Sequence, residues 1–143
     1  MIACSETNSQ VSSKQTPESI VQKFFEHHQT GGFSSGLDHL SNFIDWDNET
    51  IEKLKAGALK NQALLGDYLG NSFLVKNEVE DRLKIIIHMA RYENAPMKYI
   101  FIFYRPDKDW KLHQFKYNDN IVAELEEVTN TYPYFDLIKD KDK

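Results

Sequence analysis

The sequence predicts an α+β fold in which N-terminal helices pack on a curved antiparallel sheet of about four strands. Two observations support this fold. Apolar residues recur at helical spacing between residues 17 and 65, and at a spacing of two from residue 71 onwards. The connections between the predicted strands are short, which is typical of antiparallel neighbours. With 143 residues, 41% of them hydrophobic, the chain is long enough to bury one core without disulfide bridges.

Three helices are predicted before the sheet, over residues 17–30, 34–43 and 49–65. The first begins at a capping hydroxyl, Thr16. Pro17 follows, and proline suits the first turn of a helix because its missing N–H would have no partner there. Gly31-Gly32 is predicted to end this helix. Its predicted buried face holds Ile20, Val21, Phe24, Phe25 and His28.

Four strands are predicted next, over residues 71–79, 83–92, 97–105 and 110–117, followed by a short acidic helix over 120–128. The third strand carries apolar side chains at both its odd-numbered and its even-numbered positions, so both of its faces are expected to be buried. Tyr99, Phe101 and Phe103 lie on one face, and Ile100, Ile102 and Tyr104 lie on the other. One set can pack under the helices, and the other would leave an apolar patch that soluble monomers rarely expose, which predicts a homodimer. The alternative cover is the C-terminal segment, which holds Tyr132, Tyr134, Phe135 and Leu137.

The charge and composition exclude several classes of protein. A net charge of −5 argues against nucleic-acid binding, since such proteins usually carry a basic stripe. Most of the negative charge falls in residues 119–143, which we interpret as a solvated face and tail, with a docking surface as the alternative. The sequence contains no phosphate-binding glycine loop and no apolar run near the ~18 residues of a membrane helix. We therefore predict no cofactor, and a single domain over residues 16–143 with a short acidic tail.

The one cysteine, Cys4, excludes an internal disulfide, and its surroundings are informative. Residues 5–16 are almost entirely polar, so we predict that residues 1–15 form a flexible tether. The run Ile2-Ala3-Cys4-Ser5, followed by this tether, resembles the processing site of a bacterial lipoprotein, in which the cysteine is lipidated. That resemblance implies a lipid anchor in the bacterial cell envelope, on the outer membrane or periplasmic side, and a signal segment upstream that ends at Ala3. The alternative is a frayed N-terminus in the cytoplasm.

The order of elements and the end of the predicted sheet carry a second resemblance. They resemble the nuclear-transport-factor-2-like superfamily, also called SnoaL-like or cystatin-like, over about residues 17–118. The segments that carry it are Leu65-Gly66, Tyr92-Glu93-Asn94, Tyr99 to Phe103, Asp109-Trp110-Lys111-Leu112 and Phe115. The resemblance implies a cone with an apolar cavity between the first helix and the concave sheet, and often a dimer. It implies no single reaction, because the fold serves isomerases, dehydratases, hydrolases and binding modules.

Candidate catalytic residues are few. None of the five histidines has metal-ligand spacing, so we predict no metal site. His88 lies mid-strand and is either a hydrogen-bonded core or dimer-face histidine or a pocket acid/base. Catalytic members of the family use a carboxylate with a tyrosine in an apolar cavity, for which Asp45 and Tyr99 are the candidates here. Alternatively, Asp45 is solvated while Trp46 seals the core.

The leading hypothesis from the sequence is a non-catalytic domain of a bacterial envelope lipoprotein that binds a small apolar ligand or a protein. One alternative is a small proton-transfer enzyme of the isomerase, dehydratase or hydrolase type, acting on an apolar ligand in the cavity. Another is a dimeric scaffold with a filled core. The residues expected to line the implied cavity are Phe24, Trp46, His88, Tyr99, Phe101 and Trp110.

Overall fold

The structure, a computed structural model, describes residues 15–131. The predicted tether up to residue 14, with Cys4, and the predicted tail from residue 132 lie outside the described residues. Three helices and four strands follow one another along the chain: α1 (Pro17–Leu40), α2 (Asn48–Leu65), β1 (Tyr68–Val79), β2 (Leu83–Tyr92), β3 (Pro96–Tyr104), β4 (Lys111–Asn118) and α3 (Ile121–Thr131).

The predicted α+β class is confirmed. The four strands form one sheet in the order β1-β2-β3-β4, and every neighbouring pair is antiparallel. The two long helices precede the sheet and pack against it, as the change of hydrophobic period indicated. Register shifts between Tyr68 and Gly70 and between Phe73 and Val75 interrupt the β1–β2 pairing, and such bulges bend a strand and increase its twist.

The first two predicted helices are the two halves of α1, which are separated by a kink at Gly32. Thr16 caps α1 as predicted, since its hydroxyl oxygen accepts the Ser19 N–H at 3.1 Å. Gly32 adopts φ 83° and ψ 177°, a backbone region open essentially only to glycine. The glycine pair was expected to end the first helix, and Gly32 does interrupt the helical path; a second helical stretch follows it and runs to Leu40. The kink turns the second half of α1, which carries Phe33, over the sheet.

The core lies between α1 and one face of the sheet and is mostly aromatic. The predicted alternation along β3 is confirmed: Tyr99, Phe101 and Phe103 are buried, and the residues between them are only half-buried. Phe24 of α1 lies at the centre, with no exposed surface, and its ring meets those of Phe25, Phe33, Tyr99, Phe101 and Phe115 at centroid separations of 5.0 to 6.0 Å.

The outer face of the sheet, opposite α1, is apolar along its middle. Its half-buried members are Ile85, Ile87, Met89, Ile100 and Ile102. Tyr104, at the end of this face, is 45% exposed. The last helix, α3, meets the sheet beside β3, where Lys98 donates a hydrogen bond to Glu124. Within residues 15–131, no helix combines the length and the apolar character needed to cross a bilayer.

Candidate functional site

A cavity of about 390 Å³ opens between α1, α2 and the sheet. We call it the tyrosine cavity, because the phenols of Tyr92, Tyr99 and Tyr117 reach it from three successive strand segments. Its apolar walls come from the helices and from the start of β3, and include Phe33, Ala58, Leu65 and Met97. This is the location that the family resemblance implied for a cavity, between the first helix and the sheet.

Local sequence explains how the polar groups reach this cavity. Inward-facing residues alternate along β2 and β3, and the two strands pair so that His88 lies opposite Tyr99. Tyr92 is the last residue of β2 and falls on the same face. On α1, His28 follows Phe24 by four residues and so lies one turn further along the buried face, towards Tyr92.

Three of these side chains form a hydrogen-bonded chain. The Nε2 atom of His28 lies 2.7 Å from the Tyr92 hydroxyl oxygen, which lies 2.5 Å from the Tyr99 hydroxyl oxygen. The imidazole of His28 also stacks on the Tyr68 ring, with centroids 4.2 Å apart. His28 is only 6% exposed, and its other ring nitrogen, Nδ1, is buried with no hydrogen-bond partner among residues 15–131.

Burial fixes the protonation of this chain. It lowers the pKa of His28 below its ordinary value of 6.5, because the imidazolium would lose its hydration. Burial also raises the pKa of Tyr92 to about 12 and the pKa of Tyr99 further still. The histidine is therefore neutral at pH 7 and both phenols keep their protons.

The lowered histidine pKa values predict acid destabilisation. Burial lowers the pKa of His28, His39 and His88 in the folded protein, so between those values and 6.5 the unfolded chain binds more protons. The free energy of unfolding should therefore fall as the pH falls from about 7.5 to about 5.5. Urea denaturation across that range measures the free energy of unfolding. Its decrease with falling pH should be smaller in His28→Phe than in the wild type. A stability that is constant or rises on acidification would contradict this.

A second opening, which we call the groove, lies between α1 and β1 and has a volume of about 730 Å³. His88 faces it, with Nδ1 at 2.9 Å from the Asn71 amide nitrogen and its ring 5.0 Å from that of Phe25. Tyr68 and Gln29 contribute to the lining of both openings. His88 is thus held by a hydrogen bond and by aromatic contacts, and it does not share a cavity with Tyr99.

The other residues singled out from the sequence lie in several places. Asp45 is exposed in the connection between α1 and α2 and lines neither opening. Trp46 is half-buried, and the centre of its ring lies 6.3 Å from that of Phe115. The next residue, Asp47, caps α2, since its carboxylate accepts a hydrogen bond from the Thr50 N–H at 2.7 Å. Phe24 and Phe101 are fully buried in the core and line neither opening, whereas Tyr99 lines the tyrosine cavity.

Trp110 lies at the far end of the sheet from the tyrosine cavity. It is half-buried and lies near two cations, with Lys84 Nζ 5.3 Å and the Arg105 guanidinium carbon 5.0 Å from the ring centre. Lys84 is in turn paired with Glu18 at 3.0 Å and Glu78 at 3.1 Å. The tryptophan therefore packs on a paired-charge cluster by cation–π contact.

Sequence reasoning missed His28, Phe33 and Tyr117 as members of the cavity. His28 was assigned to the buried face of the first helix, which is correct, but that spacing is equally typical of a core residue. Phe33 follows a glycine pair that was expected to interrupt the helix. Only the position of His28 among large apolar residues, where an imidazole needs a partner, could have indicated a polar site.

In comparisons with known proteins, no family model, no curated protein and no solved structure matches the chain. Within residues 15–131, no group of three or more histidine, cysteine, aspartate or glutamate side chains is placed to hold a metal ion.

Proposed function

We propose that this protein is a non-catalytic domain that binds a small apolar ligand in the tyrosine cavity. The observation that carries the proposal is the cavity itself, in which apolar side chains such as Phe33, Leu65 and Met97 lie beside converging polar groups. We also propose that the chain belongs to the nuclear-transport-factor-2-like superfamily. Two helices followed by a four-stranded antiparallel sheet, with a cavity between α1 and the sheet, support that membership.

The protonation states favour binding over proton transfer. A general acid or base works best when its pKa lies near the working pH. Burial moves the pKa of His28 down and the pKa of Tyr92 up to about 12, away from neutrality in both cases. No carboxylate among residues 15–131 is hydrogen-bonded to His28, and burial outweighs the backbone hydrogen bond that would raise its pKa.

A blocking variant tests ligand binding. N-Phenylnaphthylamine is a neutral probe whose fluorescence rises in apolar surroundings, and we expect it to bind the wild type saturably. Ala58→Trp should weaken that binding at least about tenfold, because the indole would fill the cavity from α2. Ala63→Trp, on the exposed side of the same helix, is the matched control and should bind like the wild type. Equal binding by both variants, or none by the wild type, would contradict the proposal.

A proton-transfer enzyme remains the second candidate, and the 2.7 Å contact between His28 and Tyr92 is the observation that favours it. Such an enzyme would exchange acidic C–H protons next to the carbonyl of a bound ketone. Proton NMR of acetophenone in deuterated buffer would detect this as loss of the methyl signal. Exchange that depends on His28, and disappears in His28→Gln, would favour the enzyme over the binding domain.

We further propose that Cys4 anchors the protein in the bacterial cell envelope. The support is the sequence around Cys4, an apolar-small-Cys-Ser run followed by polar residues. Each CH₂ group of an acyl chain that is buried in the bilayer contributes about 0.8 kcal/mol to the free energy of membrane binding, so two or three chains hold a protein firmly at a membrane. After expression from the native reading frame, wild type and Ser5→Ala should partition into detergent and Cys4→Ser into water. An aqueous wild type would indicate a cytoplasmic protein.

A further inference from the structure

The edge of the sheet beside the groove is open. β1 is the outermost strand of the sheet, and within residues 15–131 only β2 pairs with it. Along its 12 residues, the main-chain N–H and C=O groups that point away from β2 therefore have no strand partner there. Another extended chain can pair with such groups directly, by adding a strand to the sheet.

The groove runs along this edge. Its α1 wall extends from Glu18 to Thr30, and its β1 wall extends from Tyr68 to Lys76. At a rise of about 1.5 Å per helical residue and about 3.3 Å per strand residue, these walls are about 18 Å and about 25 Å long. An extended segment of about six residues has a similar length. The shape of the groove therefore suits a strand that lies beside β1 better than it suits a compact molecule.

The floor of the groove is apolar and incompletely covered. Phe73 of β1 lines the groove on the same side of the sheet as its pairing partner His88, yet it is 59% exposed. Phe25 and Ile86, which are both buried, line the groove beside it. Apolar side chains that point inward from an added strand would cover Phe73 and lie on this floor.

The charges differ between the two ends of the groove. At one end Glu18 is compensated, since its carboxylate lies 3.0 Å from Lys84 Nζ and 3.6 Å from Lys76 Nζ. Two turns further along α1, Glu26 also lines the groove and forms no salt bridge with any residue in 15–131. His88 adds no charge at pH 7, because burial lowers its pKa. The groove therefore has one uncompensated negative charge, which a lysine or arginine of an occupant would complement.

We propose that β1 accepts a further strand from a partner protein, an extended segment of about six residues that lies in the groove and pairs its main chain with β1. Alternate side chains of that segment are apolar and cover Phe73, and one of its inward-facing residues is a lysine or arginine near Glu26. This interaction surface is separate from the tyrosine cavity, and the inference does not depend on the ligand proposed there.

Two peptides test the charge of the partner. Acetyl-Lys-Thr-Val-Thr-Val-Thr-amide, when extended, places its lysine and both valines on one side, and a second peptide has glutamate in place of that lysine. In NMR titrations we expect the lysine peptide to shift the β1 amide signals and to bind the wild type at least about fivefold more tightly than the glutamate peptide. This preference should fall below about twofold in Glu26→Gln. Glu52→Gln, on the exposed side of α2, is the matched control and should keep the preference.

Two N-methylated forms of the lysine peptide test the main-chain pairing. Methyl groups on the nitrogens of residues 1, 3 and 5 remove the N–H donors of one edge of the extended peptide, and methyl groups on residues 2, 4 and 6 remove those of the other edge. We expect one form to lose binding and the other to keep it, because only one edge of the peptide faces β1. Both forms are titrated into the wild type, so no variant needs to fold for this comparison.

A substitution on β1 tests the apolar contact. Phe73→Thr should weaken the lysine peptide at least about fivefold. Val79→Thr is the matched control, since Val79 is as exposed, at 57%, lies on the same strand and does not line the groove. It should bind like the wild type. Circular dichroism checks that both variants are folded.

Four outcomes would overturn the proposal. The first is a wild type whose β1 amide signals do not respond to the lysine peptide. The second is equal binding of the two N-methylated forms, which would indicate side-chain contacts without strand pairing. The third is a set of β1 shifts that depends on the concentration of the protein alone, which would assign the edge to a second copy of the chain. The fourth is loss of peptide binding in Ala58→Trp, which would place the peptide in the tyrosine cavity instead.

Discussion

Replacement of Phe24 by alanine is expected to lower the free energy of unfolding by about 3–5 kcal/mol, the usual cost of removing a fully buried large aromatic side chain. Phe24 has no exposed surface, and its ring meets aromatic rings from α1, β3 and β4. Those neighbours belong to three different elements of the fold and cannot all move into the space left behind. Urea denaturation measures the loss, and a change below about 1 kcal/mol would contradict the central position of this ring.

A double-mutant cycle with Gly36 makes the test specific to packing. A Cβ atom at Gly36 would lie 2.7 Å from the Phe24 ring, so Gly36→Ala alone should cost about 1–3 kcal/mol through overpacking. In the Phe24→Ala background the two ring atoms nearest that Cβ are gone, and the Phe24 carbonyl oxygen at 3.3 Å remains. The cost of Gly36→Ala should therefore shrink or reverse. Additive effects would mean that the two residues do not touch.

The fold could be predicted because each element carries its own periodic signal. The alternation along β3 separated Tyr99, Phe101 and Phe103 from the residues of the other face without knowledge of any partner strand, but it did not decide which face meets the helices. The Thr16-Pro17 start of α1 is local chemistry. The predicted interruption at Gly31-Gly32 is confirmed as a kink at Gly32 between two helical stretches. A glycine pair is compatible with the end of a helix and with a kink within one, and tertiary packing of Phe33 over the sheet decides between them.

The candidate site was harder to predict because it depends on contacts between distant residues. His28 and Tyr92 are 64 positions apart, and no period in the sequence relates them. Sequence reasoning gave the face on which each residue lies but not which side chains of other elements meet it there. Asp45 was selected because it lies near the expected mouth of a cavity. Its position in fact depends on where α1 ends and how the connection to α2 runs, which local sequence does not specify.

The second large expected effect concerns the oligomeric state of the protein, which we relate to the outer face of the sheet. We propose that two copies of the chain pack through this face, as isologous dimers do, with the same apolar residues on both sides. Ile85 and Ile102 are direct partners across β2 and β3, and Ile87 and Ile100 form the next pair on this face. Contiguous apolar patches of this kind usually mark an interaction surface.

Ile102→Lys should convert the dimer to a monomer. A lysine in the centre of a two-fold interface would bring two buried like charges together without partners, which costs far more than the contacts of one isoleucine. Sedimentation at tens of micromolar should show that the wild type is a dimer and Ile102→Lys a monomer. Ala63→Lys, on the exposed side of α2, is the control and should remain a dimer. Circular dichroism confirms that each variant is folded. A monomeric wild type would contradict the dimer, and a chain ending at Thr131 would then test whether residues 132–143 cover this face instead.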